Sequence, residues 1–527
     1  MINLDGHKLT LDDIRKSVLG GEKCDIAANA RAAMKRSRAL VEKLAGEERA
    51  IYGINTGFGP LSAQRVSHAD LEQHQINLLH HLSVGQGDLF SDLETKAIMA
   101  ARANALARGY SGIREEVVDL LLGALNNNVL PEIPSEGSVG ASGDLVPLAH
   151  MSRLLIGLGH ARTDGERLSA KDALKSKNLS PVTLKCKEGL ALVNGTSVMT
   201  GLMSLATIEA SQILRWMEFL TACLIQSLYG APEVLCSQLH MARGHRGQYT
   251  TADYIAGYLK SHPDYKKEID DHEWGSHKKP VEEGTEIQDP YSLRCTPQIL
   301  GAFQDAYWHV EQVVTRELNA STDNPLIFPA TETVIHGGNF YGQHIAMVSD
   351  YLRIGLIKLA LLSERQTERL LNWRYSMGLS PLLTGGAPGL NSGMMGCQLL
   401  ATSLAAEARL LGTPGSIQTI PTNANNQDVV SMGTTAAKMT RKVLPILWKL
   451  LAIETIAIVQ AADLRKDDNM MGKDYRKFYE RVRSITPKLE DDRPLFGDIE
   501  KVVALLQSND TQKELLRHDP ANPLIIE

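Results

Sequence analysis

The sequence predicts a mainly α fold organised around a long central helical bundle. Two observations carry that expectation: three long stretches repeat apolar residues at helical spacing, and strand signals stay short and scattered. In the first stretch, Gly201 to Tyr229, residues Ile213, Trp216, Met217, Leu220, Leu224 and Leu228 form one stripe. Ile208, Phe219 and Ile225 make the other faces apolar too, so this helix should be buried nearly all round. The second runs from Gln343 to Asn372, with Ile345, Val348, Leu352, Leu356, Leu359 and Leu362 on one face and a polar far end at Glu364, Arg365, Glu368 and Arg369. The third runs from Val443 to about Leu464. At ~1.5 Å per residue each helix spans roughly 30 to 45 Å, a length suited to side-by-side packing in a bundle.

Short runs such as Val182-Thr183-Leu184 and Val334-Ile335 have turn-like neighbours, so any sheet should be small. The chain divides into an N-terminal active-site region (residues 1–200), the central bundle (201–465) and a small C-terminal helical appendage (466–527). The polar stretch from His262 to Asp289 breaks the helical pattern and reads as a surface loop or lid.

With 527 residues, 43% apolar and 22% charged, the chain can bury a large core and is too apolar to stay disordered. A net charge of -6 and a pI near 6.3 leave no basic footprint for nucleic acid or an anionic membrane, so a small molecule or a protein is the expected partner. The six cysteines, Cys24 to Cys397, form no CxxC pair and read as reduced thiols. No HExxH occurs, and His240 and His245 share a helical face poorly, so no metal site is expected. The start, Met1 to Asp5, lacks the basic residues and apolar run of a signal peptide. The stretch most like a membrane span, Val443 to Ala462, contains Pro445, Lys449 and Glu454, which favours a buried or subunit-facing helix. A cytoplasmic, soluble protein is expected.

The oddest composition lies between Pro134 and Leu145, where Gly137, Gly140 and Gly143 recur every third residue among small side chains. No Gly-Lys-Ser/Thr follows, which excludes a Walker loop, and Ser142-Gly143-Asp144 does not continue as a nucleophile elbow. Alone, the run reads as a flexible turn before a helix. Ala141-Ser142-Gly143 nonetheless permits one unusual reaction. In a tight bend the Gly143 nitrogen, unhindered by a side chain, can attack the Ala141 carbonyl carbon. Loss of two waters, one from the Ser142 hydroxyl, then leaves a five-membered ring with an exocyclic methylene, a strong electrophile.

Gly140-Ala141-Ser142-Gly143-Asp144-Leu145 resembles the core signature of the ammonia-lyases and aminomutases that use a 4-methylideneimidazol-5-one (MIO) group. Tyr52-Gly53-Ile54-Asn55-Thr56-Gly57-Phe58-Gly59 is similar to the family's tyrosine loop, and Leu192-Val193-Asn194-Gly195-Thr196 to its asparagine motif. The run from Gln288 to Cys295, followed by Pro297-Gln298, is similar to its carboxylate-binding segment. Asp323-Asn324-Pro325, Gly338-Asn339-Phe340 and the run from Asn426 to Ser431 follow in family order. The matches span roughly residues 50 to 435.

The resemblance implies an all-α homotetramer whose active sites draw residues from several chains, acting on a small aromatic amino acid with an MIO group made from Ala141, Ser142 and Gly143 and no metal or diffusible cofactor. It nominates Tyr52 as the base for the weakly acidic β-proton. A tyrosine hydroxyl, ordinarily near ~10, takes that role at neutral pH only in surroundings that favour its ionised form. Arg294 is implied to grip the substrate carboxylate with its planar fork. Asn194, Tyr291, Gln288 and Asn324 are implied to orient amine, carboxylate and electrophile, with Tyr291 in the catalytic set, and Phe340 to pack against them.

Substrate choice turns on His81-Leu82 and Gln427. A lone histidine pair such as His80-His81 is commonly one solvated and one core residue. In the family, however, a His-Leu pair here marks members whose histidine hydrogen-bonds a substrate phenol, while phenylalanine-preferring members resemble Phe-Leu. Histidine-specific relatives tend to have Ser-His and a glutamate where Gln427 stands. The expected reaction is therefore deamination of L-tyrosine to trans-p-coumarate and ammonia. A tyrosine 2,3-aminomutase, a histidine or phenylalanine ammonia-lyase and a non-catalytic scaffold remain as alternatives.

Overall fold

Two short helices and four long ones position everything that follows: α1 (Leu71–Leu82), α2 (Leu145–Arg153), α3 (Ser197–Leu228), α4 (Thr296–Leu318), α5 (Gln343–Leu371) and α6 (Gly433–Arg465). The computed structural model describes residues 1–272, 288–467 and 469–517. The fold is mainly α, as the helical periodicity predicts. α3 is buried nearly all round, because few positions along it offer a polar face to water.

One boundary and one helix differ from the sequence reading. α6 begins at Gly433 rather than Val443, since Ala436 and Ala437 are fully buried and the Thr440 hydroxyl donates to Ser349 O at 2.8 Å. Close packing by alanine and threonine leaves no trace in a pattern of large apolar residues. α4 was not singled out, although Leu300, Phe303, Tyr307, Val310 and Val314 bury one of its faces. The most apolar window of α6 is long enough to cross a membrane, but 89% of it is buried inside the protein.

The chain forms two units, one of residues 1–208, 310–350 and 414–441, the other of residues 209–309, 351–413 and 442–527. In the first, Leu40, Val41, Leu44, Ile51, Ile54, Leu71, Cys186 and Ile327 form a buried cluster. Its sheets are small: Ile2–Leu4 pairs parallel with Cys24–Ile26, and Leu326–Phe328 pairs antiparallel with Thr333–Ile335, which includes the anticipated Val334-Ile335. Val182 to Leu184 joins no ladder; after Pro181, Val182 N donates to Leu155 O at 2.9 Å, and Thr183 O accepts from Arg114 Nη2 at 2.7 Å.

In the second unit the four long helices are tied by buried polar side chains. Gln366 on α5 donates to Thr221 of α3 at 3.3 Å and to Thr296 of α4 at 3.4 Å, and Ser363 donates to Glu454 of α6 at 2.5 Å. The C-terminal helices belong to this unit: Phe478 is fully buried against Trp216 and Phe219, with ring centroids 5.8 and 5.0 Å away. The stretch from His262 is not all loop, because Pro263–Asp271 is a helix capped by the His262 ring and anchored by buried Tyr265 and Glu268. Residues 273–287 of the expected lid lie outside the described residues.

Candidate active site

The glycine-rich loop is fixed from three distant parts of the first unit. Gly143 has φ +71°, and a Cβ there would fall 2.1 Å from Gly195 O, so only glycine fits against the neighbouring chain. Asp144 N donates to that same Gly195 O at 2.8 Å. The fully buried Asp144 carboxylate accepts from Ser138 Oγ at 2.8 Å, from Val198 N and Met199 N at 3.0 Å each, and from the Thr434 hydroxyl. It thereby satisfies two first-turn amides of α3 and holds a negative charge at that helix's positive end. Burial pushes its pKa up, and these hydrogen bonds work against the shift.

Ser142 lies three residues before α2, with its carbonyl and its hydroxyl both held. Asn194 Nδ2 donates to its carbonyl oxygen at 2.9 Å, and Gln427 Nε2 donates to its hydroxyl at 2.8 Å. Asn194 Oδ1 is a buried acceptor without a partner among the described residues. Behind Asn194, the buried Arg102 guanidinium donates to Asn194 O at 2.9 Å and to Ala191 O. Burial lowers its pKa to about 10, opposed by the charges of Asp323 and Asp144.

Tyr52 sits on a loop closed by Asn55, whose side chain accepts from Ile51 N at 2.7 Å and donates to Arg49 O at 2.9 Å. Gly53 has φ +78°, and a Cβ there would lie 2.7 Å from Pro325, so the loop rests directly on that proline. The Tyr52 hydroxyl accepts from Gly59 N at 3.4 Å. Next to Pro325, Asn324 N donates to Asp323 at 2.7 Å, and Asp323 forms a fully buried ion pair with Lys187 at 2.6 Å.

These segments enclose one cavity of about 800 Å³. Tyr52, His81, Leu82, Ser142, Gly143, Asn194, Asn324, Phe340 and Gln427 line it, and Ala141 is buried beside Ser142. His81 ends α1 with Nδ1 3.1 Å from Asn77 O. A carbonyl only accepts, so in the neutral ring the proton is on Nδ1 and Nε2 is left as an acceptor. Gln288, Tyr291 and Arg294 belong to the second unit and are not among the cavity's lining residues. Tyr291 is 68% exposed, and the Arg294 guanidinium lies 4.7 Å from its ring with a buried Nε that has no partner among the described residues.

Several contributors were not anticipated. Phe58 and His74, also in the cavity wall, stack with centroids 4.3 Å apart, and burial lowers the His74 pKa. Asp144 stands inside the quoted motif, and only its structural role went unread. Arg102 and Lys187 carry no signal that separates them from surface charges. Among the described residues no group of three His, Cys, Asp or Glu side chains is placed to hold a metal ion.

The chain matches the model of the aromatic amino acid lyase family over residues 9–484. It is 41% identical over 507 residues to a histidine ammonia-lyase from Geobacillus thermodenitrificans, covering 96% of this chain and 97% of that one. It is 38% identical over 524 residues to the MIO-dependent tyrosine 2,3-aminomutase of Streptomyces globisporus, covering 98% and 96%. A solved structure of tyrosine aminomutase from Streptomyces globisporus matches with a TM-score of 0.91 at 36% identity, covering 98% and 99%. The chain therefore belongs to the aromatic amino acid lyase family, a family of carbon–nitrogen lyases.

Proposed function

We propose that this enzyme converts L-tyrosine to trans-p-coumarate and ammonia without oxidation. The observation that carries the reading is the placement of Ser142, Tyr52 and His81 around one cavity, with Gln427 donating to the serine hydroxyl. The residues suit an MIO group formed from Ala141, Ser142 and Gly143: the bend leaves no room for a side chain at Gly143, and Asn194 and Gln427 hold the serine carbonyl and hydroxyl. Once formed, that group supplies an electrophile for the substrate amine.

The chain's own side chains supply the rest. Asn194 Oδ1 accepts from the amine, which answers its missing partner. Tyr52, acting as the phenolate to which the Gly59 amide can donate at 3.4 Å, takes the β-proton and is left as the neutral phenol. His81 Nε2 accepts from the substrate phenol, a bond phenylalanine cannot make. A neutral Gln427 offers no charge to an imidazolium substrate.

The site is completed by self-association into a homotetramer. Exposed Tyr351, Ile354, Met395, Leu399 and Leu410 in the second unit give apolar surface for assembly, and Tyr291, Arg294 and Gln288 of one copy serve another's cavity. Arg294, whose Nε has no partner among the described residues, grips the carboxylate there.

The similarity to a tyrosine 2,3-aminomutase favours a second reading, in which ammonia returns to the β-carbon. A panel of L-tyrosine, L-phenylalanine and L-histidine at equal concentration, with products separated by chromatography and mass, tests both. Predominant p-coumarate is expected. Early accumulation of β-tyrosine makes the enzyme an aminomutase, and predominant urocanate overturns the use made of His81 and Gln427.

A further inference from the structure

A second cavity of the first unit, about 340 Å³ in volume, is lined by His150, Arg153, Gly159, His160 and Glu132. Arg153 is half-buried at the end of α2, and its guanidinium lies against Gly159, where a Cβ would sit 3.8 Å from Cζ. Its Nε is buried and without a hydrogen-bond partner among the described residues, and of the cavity's lining only Glu132 carries a carboxylate. A half-buried guanidinium without a counter-charge is costly unless something supplies one.

The other groups of the cavity leave that charge uncancelled. Glu132 is already committed: Arg167 Nε donates to one of its oxygens at 2.7 Å and Nη2 to the other at 3.0 Å. His150 Nε2 accepts from Gly85 N at 3.1 Å, so the proton of the neutral ring is on Nδ1, a donor with no protein partner among the described residues. His160 adds a second imidazole. Leu89 and Pro134 complete the lining and add no polar side chain.

We propose that this cavity is a binding site for a small oxyanion, the head of a phosphate or carboxylate compound. Arg153 pairs with it through its fork, and the imidazoles of His150 and His160 donate the remaining bonds. The site lies on the elements that carry the first cavity. Arg153 and His150 are on α2, which begins directly after Ser142-Gly143-Asp144, and Gly85 follows Leu82 by three residues.

Isothermal titration of the full chain with inorganic phosphate, and separately with acetate, at a constant ionic strength set with chloride, tests the assignment. One saturable site per chain is expected for at least one anion. Affinity should fall at least tenfold in Arg153→Gln and by a smaller factor in His160→Gln, with helical circular dichroism and the thermal midpoint retained. Tighter phosphate identifies a phosphorylated ligand, and tighter acetate a carboxylate. Absence of saturable binding by either anion, or equal affinity in Arg153→Gln and the unaltered chain, overturns the proposal. If Arg153→Gln fails to fold, the His160→Gln comparison decides.

Discussion

Removing the Asp144 carboxylate should loosen the junction between the glycine-rich loop, α3 and α6. In Asp144→Ala, Val198 N and Met199 N lose their acceptor in a dry site, while the Ser138 and Thr434 hydroxyls can rotate. At about 1–3 kcal/mol for each stranded buried amide, the loss is roughly 2–6 kcal/mol. That is a large part of the ~5–15 kcal/mol typical of a folded protein. Asp144→Asn keeps one oxygen for the two amides and turns an NH₂ toward the hydroxyls, which can accept in place of donating. Burial already opposes the charge here, so losing it costs less than at the surface. Urea midpoints of the three proteins at one protein concentration should rank the unaltered chain near Asn, with Ala far below. Equal midpoints for Asn and Ala, or an Ala variant within ~0.5 kcal/mol of the unaltered chain, would refute this account of the junction.

Ser142→Ala should keep the helical fold, lose turnover and show the full encoded mass, whereas the unaltered chain should be lighter by two waters; identical masses relative to the encoded values sink the ring. His81→Phe should move the tyrosine-to-phenylalanine ratio of kcat/KM toward phenylalanine by about 1–2 kcal/mol, roughly tenfold, and an unchanged ratio removes the phenol argument. Lys187→Met strands the buried Asp323 charge and should cost about 3–5 kcal/mol, much of it recovered by adding Asp323→Asn; a urea series with no recovery contradicts this. Burial raises the Glu454 pKa to about 8, so the folded state holds a proton that the unfolded chain releases near the ordinary carboxylate value. Stability contributed by the neutral carboxyl is therefore present at acid pH and lost as pH rises toward about 8. Glu454→Gln should gain on the unaltered chain through that window and hold a constant lead above it, as read from thermal midpoints across pH.

The parts of the site legible in the sequence are those whose chemistry is local. Gly143 must be glycine because of its φ and its neighbour, and Ala141-Ser142-Gly143 sits in consecutive positions; the Tyr52 loop likewise carries its own glycines. Long helices such as α3 and α5 were legible because large apolar residues recur along them. What escaped depends on partners far away in the chain. Lys187 and Arg102 read as surface charges until Asp323 and Asn194 are placed beside them. The first turns of α6 pack through alanines and threonines too small to mark a stripe, and the helix after His262 hides because only Tyr265 and Glu268 are buried. Tyr291 and Arg294 were found by motif, yet no local pattern reveals that they belong to the second unit and are not among the residues lining the cavity.

The fastening of the glycine-rich loop also sets a timetable. Thr434, which donates to Asp144, lies 290 residues farther along the chain, and Gln427, Ser431 and Met432 stand at similar separations from Ser142, Gly140 and Val139, which they hold. At 5–20 residues per second, roughly 15 to 60 s of synthesis separate the loop from its last clamp. A nascent or truncated chain lacking residues 427–434 should therefore leave the Ser142 hydroxyl unclamped, and the ring closure proposed for Ala141, Ser142 and Gly143 should wait until nearly the whole protein exists.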